Sequence, residues 1–157
     1  MKVARLILFI LISLKSCSTL EEYANCDFFQ SLTATAQFSI VSTGYPRTYF
    51  SNTKCRWTAA APMGYKISLN CHDVRIPTSL NCANDSLSVS PTGRADLSDG
   101  KRYCGNAPFQ VYSTSYRMTI AHKAGPYSRG GKFQCIVKAV KNDCKCGVRN
   151  RGRIGEN

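Results

Sequence analysis

Nine cysteines in 157 residues constrain this fold more than any other feature, because what they can form depends on the compartment the chain reaches. Lys2 and Arg5 precede an apolar run from Leu6 to Leu14, and small residues follow at Ser16 and Ser18. That order predicts a secretory signal peptide over residues 1–18, cleaved after Ser18. Nine residues at about 1.5 Å each cannot cross a hydrocarbon core of roughly 30 Å, and no longer apolar run occurs further on, so no membrane anchor is expected. Cleavage removes Cys17 together with Lys2, Arg5 and Lys15, which leaves eight cysteines and lowers the net charge from +12 to +9. An even number of cysteines in an exported chain predicts disulfides. Zinc is the competing use. The sequence has no Cys-x-x-Cys pair and its two histidines, His72 and His122, stand alone, so neither a metal nor any other cofactor is expected.

Between Tyr23 and Ala139 short runs of alternating apolar and polar residues are separated by Gly, Pro, Asn and Asp, with no sustained helical period. This predicts an all-β chain with strands at Ala36–Val41, Cys55–Ala60, Tyr65–Cys71, Ser86–Ser90, Tyr116–Ala121 and Lys132–Ala139. Strands at this spacing pack as a compact antiparallel β-sandwich. Ile67, Leu69 and Cys71 share one face of their strand, and Phe133, Cys135, Val137 and Ala139 share one face of theirs. Both cysteines then point into the core, and a Cys71–Cys135 bond forms if the two strands lie side by side or across the sandwich. Closing so long a loop contributes roughly 4 kcal/mol on the chain-entropy account. Spacing leaves the other pairings open.

The run from Cys26 to Ala139 resembles a CUB domain, a β-sandwich of extracellular proteins. The landmarks are Tyr45-Pro46 with Tyr49, Cys55-Arg56-Trp57, Pro62-x-Gly64-Tyr65-x-Ile67-x-Leu69, Cys82-x-x-Asp85-x-Leu87-x-Val89, Tyr103-Cys104-Gly105 and Gly131-x-Phe133. The resemblance implies a domain over 19–139, with bonds Cys26–Cys55 and Cys82–Cys104. Cys71–Cys135 would be the additional bond of an arthropod subgroup. Beyond Ala139 the chain reads as a flexible basic tail, residues 140–157, lacking aromatic residues and dispensable for the fold. Its Cys144-Lys145-Cys146-Gly147-Val148-Arg149 and Arg153-Ile154 are similar to the linker and activation site before a trypsin-like domain in insect venom CUB-serine proteases. The chain stops at Asn157. The resemblance therefore implies a secreted venom CUB-domain protein, of the kind found in predatory bugs, derived from such a protease by loss of its catalytic half. Cys144 and Cys146 are left without an assigned partner; a strained local bond, a rearranged pairing or a disulfide-linked dimer are the alternatives.

Catalysis is not expected. A Ser-His-Asp mechanism needs an oriented histidine beside a serine; His72 and Asp73 are adjacent in a strand and point to opposite faces. Many CUB domains hold calcium through a Glu and two Asp side chains, because a hard cation takes several oxygens. Comparison residue by residue puts Asp85 at one of these positions, but Pro77 and Ala124 at the others, so the site looks lost and Asp85 reads as a loop residue bonding its own backbone. Trp57 shares the inward parity of Cys55 and reads as core, whereas Tyr45, Tyr49, Tyr112 and Tyr127 sit in turns and read as exposed. Asn84-Asp85-Ser86 is an N-glycosylation sequon. The positive charge predicts attraction to acidic partners, but no nucleic-acid motif accompanies it. The reading is a non-catalytic venom toxin component that binds a protein or acidic glycan through its loops. The alternative is a docking partner of a CUB-serine protease, or of its substrate or inhibitor, in the same secretion.

Overall fold

A computed structural model describes residues 22–142. The expected signal peptide over 1–18, and Cys144, Cys146 and the rest of the expected tail, lie outside the described residues.

The described residues form strands β1 (Asp27–Ser31), β2 (Gln37–Val41), β3 (Lys54–Ala60), β4 (Tyr65–Arg75), β5 (Ser86–Ser90), β6 (Lys101–Tyr103), β7 (Phe109–Tyr112), β8 (Arg117–Lys123) and β9 (Lys132–Lys141), with one 3-10 turn at Leu80–Cys82. They make two sheets, ordered β1-β3-β8-β5-β6 and β2-β9-β4-β7. All pairings within the sheets are antiparallel except that of β1 with β3. Alternation directs one set of side chains inward from each sheet. Ile40, Ile67, Leu69, Phe133 and Val137 from the four-stranded sheet meet Ala59, Leu87, Val89, Met118 and Ile120 from the five-stranded one in a single buried cluster. Trp57 is partly exposed and packs against this cluster, its ring edge-on to Phe133 with centroids 6.1 Å apart.

Three strands escaped the sequence reading, and all three are edges: β1, β6 and β7. The five residues of β1 are all exposed and show no alternation, so only the neighbouring β3 makes them a strand. Strand β4 runs four residues beyond the predicted end at Cys71 because a bulge falls between Cys71 and Asp73. A bulge inserts one residue and reverses which parity faces inward. The buried set accordingly changes from Ile67, Leu69 and Cys71 to Val74 and Ile76. At the other end of the chain, Val140 and Lys141 are not the start of a tail. They pair with Lys66 and Tyr65 as the last rungs of β9.

Three disulfides brace the sandwich: Cys26–Cys55, Cys71–Cys135 and Cys82–Cys104. Cys71 and Cys135 are register partners on adjacent strands of one sheet, so their bond staples β4 to β9 and does not cross the core. Replacing both, as Cys71→Ala with Cys135→Ala, should keep the β-sheet circular dichroism and lower the unfolding free energy by roughly 2–4 kcal/mol in urea titrations. An unchanged midpoint would show that the pairing of β4 with β9 needs no cross-link.

Candidate functional site

At one end of the sandwich the segments around Tyr49, Asp85 and Gly125 converge. Asp85 enters β5 with no exposed surface, and a buried carboxylate must be met by donors or a cation. Four donors meet it. Tyr49 Oη (3.0 Å) and Ser128 Oγ donate to Oδ2, while the Gly125 amide (3.0 Å) and Asn84 Nδ2 (3.1 Å) donate to Oδ1. Gly125 is needed for this approach, since a Cβ there would lie 2.1 Å from Asn84 Oδ1.

Asp85 is therefore not a loop residue bonding its own backbone, as the sequence suggested, but the centre of a clasp between segments far apart in the chain. Tyr49 corrects a second expectation. It is 1% exposed, not a surface tyrosine, because its hydroxyl is spent on Asp85 and its ring stands 4.3 Å from that of His122. Burial, reinforced by the adjacent Asp85 carboxylate, pushes the Tyr49 phenol well above its usual range. Tyr45 is half-buried. Its hydroxyl donates to Asp73 (3.2 Å) and Gln134 (2.9 Å), and Lys132 Nζ lies 2.9 Å from the same Asp73 carboxylate. Tyr112 and Tyr127 are exposed.

The two histidines do not meet. His72 is exposed at the β4 bulge, whereas His122 is fully buried on β8 with neither ring nitrogen hydrogen-bonded. Among the described residues neither is bonded to a serine or a carboxylate, so no nucleophile and base are assembled. Burial holds the His122 imidazole down at about 4, the opposing pull of Asp85 being smaller. Asn84 of the sequon is half-buried with its amide on Asp85. A glycan on Nδ2 would leave that atom a single hydrogen for this contact.

Two sheets braced by three cystines define a disulfide-bonded β-sandwich domain. The CUB domain profile matches residues 26–135, and the chain belongs to the CUB family. It is 31% identical over 134 residues to Venom serine protease 34 of Apis mellifera, covering 82% of this chain and 30% of that protein. It is 33% identical over 95 residues to cubilin of Canis lupus familiaris, covering 60% of this chain and 3% of that protein. The chain thus spans less than a third of either relative. Among solved structures, the CUB1-EGF-CUB2 region of rat MASP-1 superposes with a TM-score of 0.63 at 20% identity, over 82% of this chain and 48% of that one. The MASP-1 CUB2 domain bound to Ca2+ superposes with a TM-score of 0.54 at 16% identity, over 73% and 97%.

Calcium does not fit the residues found here. Asp85 already accepts hydrogen bonds from four donors on its two oxygens. Pro77 Cδ and Tyr49 Oη both lie 2.9 Å from where a Gly131 Cβ would stand, and neither Pro77 nor Ala124 carries a side-chain oxygen. A cation preferring six or more oxygens would find one carboxylate already engaged. Millimolar calcium should leave the melting temperature unchanged, and Asp85→Ala should lower stability by at least about 2 kcal/mol by orphaning buried donors. A calcium-dependent rise of several degrees would reverse this conclusion.

His122 sets a pH dependence. The unfolded chain takes up its proton near pH 6.5, and the folded chain resists it down to about 4, so the contribution is complete above 6.5 and is lost as pH falls toward 4. The loss amounts to about 3 kcal/mol. Unfolding free energies measured across this window should slope downward with falling pH, and His122→Leu should flatten that slope.

Proposed function

We propose that this chain is a secreted, non-catalytic venom component whose sandwich binds a protein or acidic glycan target. The observation that carries this reading is the CUB match across residues 26–135 of a chain whose described residues assemble no catalytic pair. CUB domains are binding modules, typically extracellular, and three disulfides suit that compartment. Likeness to a protein named for venom supports the setting, and a net charge of +12, lowered to +9 by the expected cleavage, supports an acidic partner. No helix among the described residues is long and apolar enough to cross a membrane.

A second reading, docking to a CUB-serine protease, its substrate or its inhibitor in the same secretion, is favoured by strand β1. Among the described residues no strand pairs with its outer edge, and Phe28 and Phe29 on it are 54% and 59% exposed. Such an edge accepts a strand from another chain. A dimer through Cys144 or Cys146 belongs to the same reading.

Affinity capture on the immobilised protein, from the secretion and from target-tissue extract in parallel, distinguishes the two. A partner retained through a wash at about 0.5 M salt, where contacts due to charge alone are screened, is the expected result. Retention of a protease from the secretion would favour docking. Turnover of peptide or ester substrates by the purified chain would refute the non-catalytic reading.

A further inference from the structure

The outer face of the five-stranded sheet holds a groove of about 770 Å³, lined in part by Ala83 and Ser86 on either side of the clasp residues Asn84 and Asp85. Its floor is made by small side chains that point outward from adjacent strands. Ser86 pairs with Lys123 on one rung, and Ser88 stands between Ala121 and Arg102 on the next. The segment at Leu97 forms one wall, and Leu97 itself adopts φ 54°, a conformation that aliphatic residues rarely take. Ser86 is only 4% exposed yet lines the groove, so a ligand must enter the recess to reach it.

The charges are distributed unequally. Two acids line the groove, and both are committed elsewhere: Glu22 to Lys54 at 3.0 Å and Asp96 to Arg94 at 2.9 Å. The two cations, Arg102 and Lys123, are exposed and have no acidic partner among the described residues. They sit two strands and one rung apart, roughly 12 Å between Cα atoms. At that spacing each side chain can meet an anionic group of its own.

We propose that this groove is a binding site for an acidic oligosaccharide carrying sulfate or carboxylate groups on successive rings. The proposal rests on the binding-module reading, and it moves the glycan contact from the loops to the face of a sheet. Arg102 and Lys123 neutralise anionic groups at the two ends, and the serine hydroxyls exchange hydrogen bonds with sugar hydroxyls between them. An acidic peptide suits it less well, because peptide docking takes its energy from apolar or aromatic anchors in closed pockets and this floor is hydroxyl and methyl. An anionic bilayer suits it least. A membrane surface meets protruding groups, and the floor here is recessed.

The test is calorimetric titration with a size-defined heparin tetrasaccharide at about 0.15 M salt. The full chain should bind it. Arg102→Ser with Lys123→Ser should weaken binding at least ~10-fold, whereas Lys66→Ser with Lys138→Ser, which removes equal charge from the other sheet, should change it less than ~2-fold. Ser88→Phe, which fills the floor without altering charge, should also cost at least ~10-fold, and it decides the matter should the groove double variant misfold by circular dichroism. Absence of binding by the unaltered chain, equal weakening by both double variants, full binding by Ser88→Phe, or tighter binding of a Glu-rich peptide than of the tetrasaccharide would each overturn the proposal. Should the tetrasaccharide fail while a salt-resistant partner is still captured, the groove falls and the binding-module reading stands. Tetrasaccharide binding lost only in the groove variants, with no captured protein, upholds the groove.

Discussion

The end of this sandwich depends on one carboxylate that has no access to water. Burying a charge without compensation costs several kcal/mol, and Asp85 is compensated by four donors from Tyr49, Asn84, Gly125 and Ser128. Each donor comes with constraints of its own. Tyr49 must give up solvent, Gly125 must lack a side chain, and His122, packed on Tyr49 and Phe133, must stay neutral. A hydrogen-bonded clasp therefore ties together segments far apart in the chain.

The remaining braces act at a distance from that clasp. Arg56, almost wholly buried on the outer face of β3, forks onto Asp27 of β1, reaches the Ala95 carbonyl and lies over the Tyr23 ring at 5.0 Å. This single guanidinium fastens the parallel edge strand and one flank of the groove to the sheet. With Cys26–Cys55 on the same flank and Cys82–Cys104 on the opposite one, the groove is enclosed by covalently anchored segments. A recess held in this way is preformed, which limits the ordering cost that a ligand must overcome.

Alternation and cysteine placement made the core strands legible in advance. Ile67, Leu69 and Cys71 facing inward opposite Phe133, Cys135 and Val137 follows from a two-residue period, which is a local property of the chain. The edges were not legible. Asp27-Phe28-Phe29-Gln30-Ser31 has no period to read, and it is a strand only because β3 offers its hydrogen bonds. The extension of β4 was hidden for a related reason, since a bulge at His72 reverses parity and imitates an ending.

The sequence by itself determined the class of molecule: a cysteine-rich β-sandwich that resembles CUB domains, with Cys71 and Cys135 pointing into its core. Those conclusions rest on residue types and local spacing, which need no coordinates. Only the tertiary structure decided what became of Asp85, that Cys71 and Cys135 are neighbours within one sheet, and that Arg102 and Lys123 share a groove. Each is a relation between residues distant along the chain, fixed by which strands lie side by side. Strand order is set by the packing of the whole core, and no stretch of the sequence contains it.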